Sequence, residues 1–182
     1  ARPIHLAFAM FLAYLVFPAF KCSPRDRIPT ADWMLGLGGA FCALYLFLFD
    51  TSIIKALTGS QLSDRPNNPN TLDVFIAVAG ILFLLEATRR ALGPPLMIVA
   101  MVFLGYTFLG PYAPGFLAWK GASFNAVAYH QWLSTEGVFG IALGVSTDLV
   151  FLFVLFGALL DKAGAGNYFI KVAFSLMGHF SG

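Results

Sequence analysis

Few side chains in this chain are placed to do chemistry. The polar residues that interrupt otherwise apolar sequence are Glu86, Glu136, Ser146, Thr147 and Asp148, with His130 close by. Glu86 stands three and four residues before Arg89 and Arg90, a spacing that puts all three on one helical face. An ion pair within that helix is therefore favoured over a carboxylate on an ion path. His130 reads either as a proton relay or as a histidine at a membrane interface, and Glu136 as a catalyst or a first-turn acid; in each case the second reading is favoured. Ser146, Thr147 and Asp148 break the run Ser134 to Gly166. Asp148 could ligate an ion. Alternatively, with Ser146 or Thr147, it caps a helix Leu149 to Leu160 by accepting N–H groups that would otherwise lack partners, and this is favoured. Gly140 and Gly144 form a small-xxx-small pair suited to close helix packing, with a hinge as the lesser reading.

Other chemistries are excluded by pattern. Cys22 and Cys42 are 20 residues apart with no paired His or second Cys nearby, which is neither a disulfide framework nor a metal site. The chain has no GxSxG, no P-loop, no HExxH and no GxGxxG after a strand. It does not itself hydrolyse ATP, so any work it does is driven by an ion gradient or a partner. No cofactor is called for.

The elements that must position these residues follow from composition. Of 182 residues, 59% are hydrophobic, 16% aromatic and only 11% charged, whereas a soluble domain is about 25% charged. This predicts an all-α polytopic membrane protein whose principal partner is the lipid bilayer. A net charge of +2 gives no reason to expect a nucleic-acid partner. The 20 Phe are spread over nearly every apolar run and read as lipid-facing and packing bulk.

Four full spans are expected: Pro3–Phe20, Trp33–Phe49, Leu72–Leu92, and Leu96–Leu109, the last running on to Leu117 if Gly110-Pro111 kinks the helix instead of ending it. Gly36, Gly38, Gly39 and Ala40 let a neighbouring helix approach closely. Asp32 complements the dipole at the start of the second span, and Trp33 sits at interfacial depth. Thr71 and Asp73 open the third span as N-cap and first-turn acid. Asp50 to Asn70 is a polar loop in which Thr51–Leu57 adds at most one interfacial turn. Ser123–Leu133, capped by Ser123, reads as a short interfacial helix. The broken stretch Ser134–Gly166 leaves Leu149–Leu160, 12 residues, too short for a core that needs about 20. Asn167–Phe180, with Lys171, Ser175 and His179 four apart, is an amphipathic interfacial helix.

A secretory-signal reading of residues 1–20 is disfavoured, because the apolar core runs into Pro18 and Phe20 without a small-x-small cleavage pattern. Charge then orients the spans. One side holds Arg2, Lys55, Arg65 and Lys120, and the other holds Lys21, Arg25, Arg27, Arg89, Arg90, Lys162 and Lys171, so the second should be cytoplasmic. Ala1 is then outside, and no methionine precedes the first span. Both observations lead to the expectation of a fragment with an upstream helix missing.

Two runs carry a resemblance: LLEATRRALGPPLMIVAMVFLGYTFLGPYAPG (Leu84 to Gly115) and STEGVFGIALGVSTDLVFLFVLFGALLDKAGAGNYFIKVAFSLMGHFSG (Ser134 to Gly182). With IHLAFAMFLAYLVFPA and SPRDRIP near the start, they resemble the fused permeases of tripartite ATP-independent periplasmic (TRAP) transporters, TAXI-associated branch. The resemblance implies three regions: 1–92 as scaffold helices of the small subunit, 93–133 as the first helix and interfacial helix of the large subunit, and 134–182 as the start of an elevator-type transport domain. It also implies a secondary active importer of organic anions (carboxylates), a periplasmic substrate-binding protein and the remainder of the large subunit as partners, and residence in the bacterial inner membrane. The coupling ion would be sodium or a proton, held by loops outside this chain. Gly140, Gly144, Ser146, Thr147 and Asp148 become transport-domain candidates. Asp148 stands where relatives often carry an apolar or small residue, so its role is not inherited. The alternative is an independent membrane assembly subunit, or an intramembrane enzyme using His130, Glu136 and Asp148.

Overall fold

The computed structural model describes residues 1–19, 28–49, 69–112 and 114–177. The basic loop after the first span, the interfacial turn expected at Thr51–Leu57, and His179 and Phe180 lie outside the described residues. The chain divides into two units, Ala1–Leu143 and Gly144–Gly182. No strand occurs among the described residues, as an apolar chain with helical spacing dictates.

In the first unit, α1 covers Arg2–Val16, with Pro3 in its first turn, where a missing N–H costs nothing. It ends four residues before the expected Phe20. Pro18 excludes the helical region for its predecessor, and Phe17 accordingly turns extended at φ −103°, ψ 113°. Helix α2 is Thr30–Phe49. Helix α3, Thr71–Leu92, begins with a reciprocal cap in which the Thr71 N–H donates to Asn70 Oδ1 (3.2 Å) and the Asn70 N–H donates to Asp73 Oδ2 (2.9 Å). The cap is thus Asn70, not Thr71, since the acid three residues on is what closes the box.

Gly93 reverses the chain at φ 89°, which a residue with a Cβ adopts only under strain, and Pro94-Pro95 start α4 (Pro94–Leu109) at once. At Gly110-Pro111 the α-helix ends and does not kink onward: a 3₁₀ turn, Gly110–Tyr112, closes it, and the chain folds back, with the Ala122 N–H donating to Thr107 O (3.2 Å). Helix α5, Phe124–Ala128, is capped by Ser123 as expected and widens into a π-turn over Tyr129–Leu133.

The core is the meeting of α1, α2 and α3 around Leu6, Ala7, Met10, Cys42, Ala43 and Ala77, joined by Trp132, Leu133 and Phe139. The glycines of α2 act as their spacing predicts. A Cβ on Gly39 would lie 2.9 Å from Met10 Cε of α1, and one on Gly38 would lie 3.2 Å from the Phe83 ring of α3.

The second unit contains most of α6 (Ile141–Lys162) and α7 (Ala165–Met177). Here the expected break is overturned. Val145, Val150 and Phe151 all hold helical angles, and the Phe151 N–H donates to Ser146 O, so Ser146–Val150 is a π-turn inside a continuous helix. The polar triplet is accommodated by widening one turn, not by ending the helix. The 22 residues of α6 span about 33 Å, enough for a hydrocarbon core of about 30 Å. Three further segments are also long and apolar enough to cross: Thr30–Leu48, Thr71–Leu92 and Pro94–Tyr112, while Arg2–Val16 is shorter.

Candidate functional site

Two polar clusters and one aromatic seam organise the first unit. At the C-terminal end of α3, Glu86 accepts from Arg89 Nε (2.7 Å), Arg89 Nη2 (2.7 Å) and Arg90 Nε (2.8 Å), confirming the pairing read from spacing. Arg90 also reaches across to α2, donating from Nη1 to Asp32 Oδ1 at 2.8 Å, with the two side chains only 3% and 6% exposed. The Arg90 guanidinium lies 4.7 Å from the centroid of the Tyr14 ring on α1, and the Tyr14 hydroxyl donates to Phe83 O (2.8 Å). Arg89 Nη2 adds a bond to Ala19 O (3.2 Å). Two carboxylates and two guanidiniums therefore tie the same ends of α1, α2 and α3 together with no net charge, which is what burial near a membrane demands.

At the opposite ends, the Tyr45 hydroxyl of α2 donates to Oδ1 of the fully buried Asp73 at 2.6 Å. With Oδ2 held by the α3 cap, both carboxylate oxygens have donors. The two clusters fix α2 and α3 as antiparallel neighbours.

Between them runs the seam where α5 meets the bundle. Trp132 is 0% exposed and fills the place where Gly80 of α3 lacks a side chain; a Cβ there would overlap the indole. Its Nε1 donates to Cys42 O of α2 (3.2 Å), and Phe139 packs edge-on against it at 5.4 Å. Arg2 of α1 donates to Phe139 O (3.2 Å). Gly80 lies about 13 Å along α3 from Thr71 at 1.5 Å per residue, so Trp132 reaches well below the end of the bundle. The expectation of a helix lying flat at the interface is thus corrected. Val127, Ala128, Trp132 and Leu133 are buried, because Gly80 opens a slot that an indole fills better than lipid does.

The sequence candidates divide between the units. His130 and Glu136 face each other across the turn after α5 (Nδ1 to Oε2 3.5 Å), 55% and 75% exposed. Gly140 closes that turn, where a Cβ would meet the turn's own backbone (Gly137 O at 2.9 Å) and not a second helix. Gly144 is buried, Ser146 and Thr147 are half-buried, and Asp148 is exposed within the π-turn of the second unit. Because the helix continues through this turn, Asp148 caps nothing. Among the described residues its carboxylate has no hydrogen bond or ion pair.

Sequence reasoning missed Asp32–Arg90, Tyr45–Asp73 and Trp132–Gly80. The first was signalled by opposite charges at ends that antiparallel spans must bring together, and the last by a lone glycine inside an apolar helix. No three His, Cys, Asp or Glu side chains among the described residues are grouped to hold a metal ion. A cavity of about 350 Å³ between α3, α4 and the turn after α5, lined by Leu85, Phe103, Thr107, Gln131 and Val138 among others, has no charged wall. It offers no cation to hold a carboxylate.

Ion-paired helix ends and a keyed aromatic seam are thus what the described residues of the first unit provide. No curated protein and no solved structure matches the chain. The family model described as tripartite ATP-independent periplasmic transporter, DctM component, matches residues 79–182, which is more than half of the chain and takes in α4 to α7 with Trp132 and Asp148. The chain therefore belongs to the DctM family, a membrane component of TRAP transporters.

Proposed function

We propose that the chain is the N-terminal part of a fused TRAP permease of the TAXI-associated branch, in which residues 1–92 are the scaffold, 93–133 open the large subunit and 134–182 open its transport domain. The match over residues 79–182 carries this reading. In it, a periplasmic binding protein delivers a carboxylate-bearing solute, and a sodium or proton gradient drives its import through the bacterial inner membrane. The ion and solute are held by the remainder of the large subunit. This chain contributes the bundle that stays fixed and the helix, α6, by which the moving part is entered.

Two features support the division of labour. The α1–α3 bundle is tied at both ends and keyed by Trp132, as a stationary body requires. The π-turn at Ser146–Val150 puts Ser146, Thr147 and Asp148 inside an apolar span, with a carboxylate that the helix itself does not use. The enzyme alternative is set aside because the DctM family is a transporter component, not an enzyme.

The test is uptake by proteoliposomes containing the full-length permease and its binding protein, scanning carboxylate solutes under imposed sodium and proton gradients. Uptake that needs the binding protein and collapses with one gradient is expected. Uptake independent of both would overturn the reading. Orientation has its own test, at positions outside the described residues: a cysteine at Asn67 should be labelled from the periplasm and native Cys22 should not.

A further inference from the structure

The loop that follows α4 is an apolar projection. Tyr112 is 86% exposed and Phe116 96%, and Leu117 and Trp119 also present large surfaces to the outside. Lys120 ends the group, and the described residues from Tyr112 to Lys120 include no acid. The loop is nevertheless built: the Trp119 N–H donates to Gly110 O (3.2 Å), the Leu117 N–H to Pro114 O (3.2 Å), and the Tyr106 hydroxyl of α4 to Leu117 O. Hydrogen bonds therefore set the loop, with Tyr112 and Phe116 standing away from the protein and the Trp119 indole laid over Gly110, its Nε1 donating to Tyr106 O (3.4 Å).

Depth identifies what they meet. The apolar segment Pro94–Tyr112 has 19 residues, about 28 Å of helix, nearly the full hydrocarbon thickness of about 30 Å. Tyr112 therefore arrives at the headgroup level, and the loop carrying Phe116, Leu117, Trp119 and Lys120 stays close to that level, since the Trp119 N–H returns to Gly110 O. Tyrosine and tryptophan favour this layer because one part of each ring system is apolar and another hydrogen-bonds, and a lysine snorkels to it. The lipid-facing surface of α4, including Val102, Phe103 and Leu109, is exposed and runs into the loop, so the patch continues the membrane-facing surface of the helix.

We infer that Tyr112, Phe116, Leu117, Trp119 and Lys120 form a preshaped lipid-interface anchor, seated in the headgroup layer at the end of the bundle that carries Thr71. On the proposed orientation this is the periplasmic leaflet. The occupant is the bilayer surface, and a protein partner or a second copy of the chain is the competing outcome. The inference does not rest on the transport reading.

The experiment uses the full chain in phospholipid vesicles with Cys22→Ser and Cys42→Ala as background, and a bimane label on Phe116→Cys or, as the inserted control, on Phe103→Cys in mid-α4. Nitroxide lipids carry the quencher at the headgroup or at mid-chain. The label at position 116 should be quenched at least about twofold more by the headgroup nitroxide than by the mid-chain one, and the order should reverse at position 103. If position 103 responds as expected while position 116 is quenched only by aqueous iodide, the loop stands in water and the inference fails. If position 116 responds to neither lipid nor iodide, a protein surface covers it, and the inference fails in favour of that partner.

Discussion

Gly80→Ala is the most informative single change in the first unit. A Cβ at this position would overlap Cε2, Cζ2 and Nε1 of Trp132. The indole has little room to withdraw: it is fully buried, Phe139 abuts it at 5.4 Å, and Nε1 is held by Cys42 O. Overpacking of this kind costs about 1–3 kcal/mol, and losing the indole hydrogen bond adds about 0.6 kcal/mol in a membrane setting. A loss of about 2–3 kcal/mol is expected, a large part of a total stability of about 5–15 kcal/mol. Trp132→Phe removes the outer benzo ring, which carries Cζ2, together with Nε1, so adding Gly80→Ala to it should cost less than about 1 kcal/mol. Stability would be read from denaturant titration in mixed micelles, followed by far-UV circular dichroism on the wild type, both single variants and the double. A Gly80→Ala variant as stable as wild type, or costs that simply add in the double, would refute the keyed seam.

Three further outcomes are expected. Arg90→Ala should cost about 3–5 kcal/mol by leaving buried Asp32 unpaired, Asp32→Ala should cost less because Arg90 keeps its bond to Glu86, and the double variant should cost clearly less than the sum of the two; additive titration midpoints would argue against the pair. Tyr45→Phe should cost about 1–3 kcal/mol, because it removes the donor to Oδ1 of buried Asp73 without changing side-chain shape much; an unchanged unfolding midpoint would count against that bond. Asp148→Ala should leave stability within about 0.5 kcal/mol, since the carboxylate caps no helix, while Asp148→Asn should lower uptake by the full-length permease. A destabilised variant would restore the capping role, and unchanged uptake would remove Asp148 from the candidates.

The helices themselves were legible in the sequence because apolar length and proline or glycine punctuation act locally. Gly93-Pro94-Pro95 ended one helix and started another where expected, and Glu86, Arg89 and Arg90 paired within a single turn and a half. The errors arose where a residue's neighbours decide its role. Ser146, Thr147 and Asp148 have side chains suited to capping, but the apolar residues on both sides favour one long helix, and a single widened turn resolves the conflict at less cost than exposing backbone in lipid. Trp132 has the composition of an interface anchor, and only Gly80, more than 50 residues earlier in the chain, draws it into the bundle. Gly144, Ser146, Thr147 and Asp148 share one helix, whereas Gly140 falls in the turn before it and does not form the expected helical pair with Gly144; any role in transport depends on groups that no local pattern supplies.

The charge-neutral cluster of Glu86, Arg89, Arg90 and Asp32 bears on biogenesis. Orientation during insertion responds to lysine and arginine, with acids counting little. Arg89 and Arg90 therefore act as topogenic charges while α3 enters the bilayer, on the proposed orientation keeping its end in the cytosol before α2 has found it. Once the hairpin closes, Asp32 and Glu86 neutralise them, and the same guanidiniums become interhelical ties. Replacing Asp32 should thus leave topology intact while impairing the later step of helix assembly, so that insertion and folding draw on the same two arginines at different times.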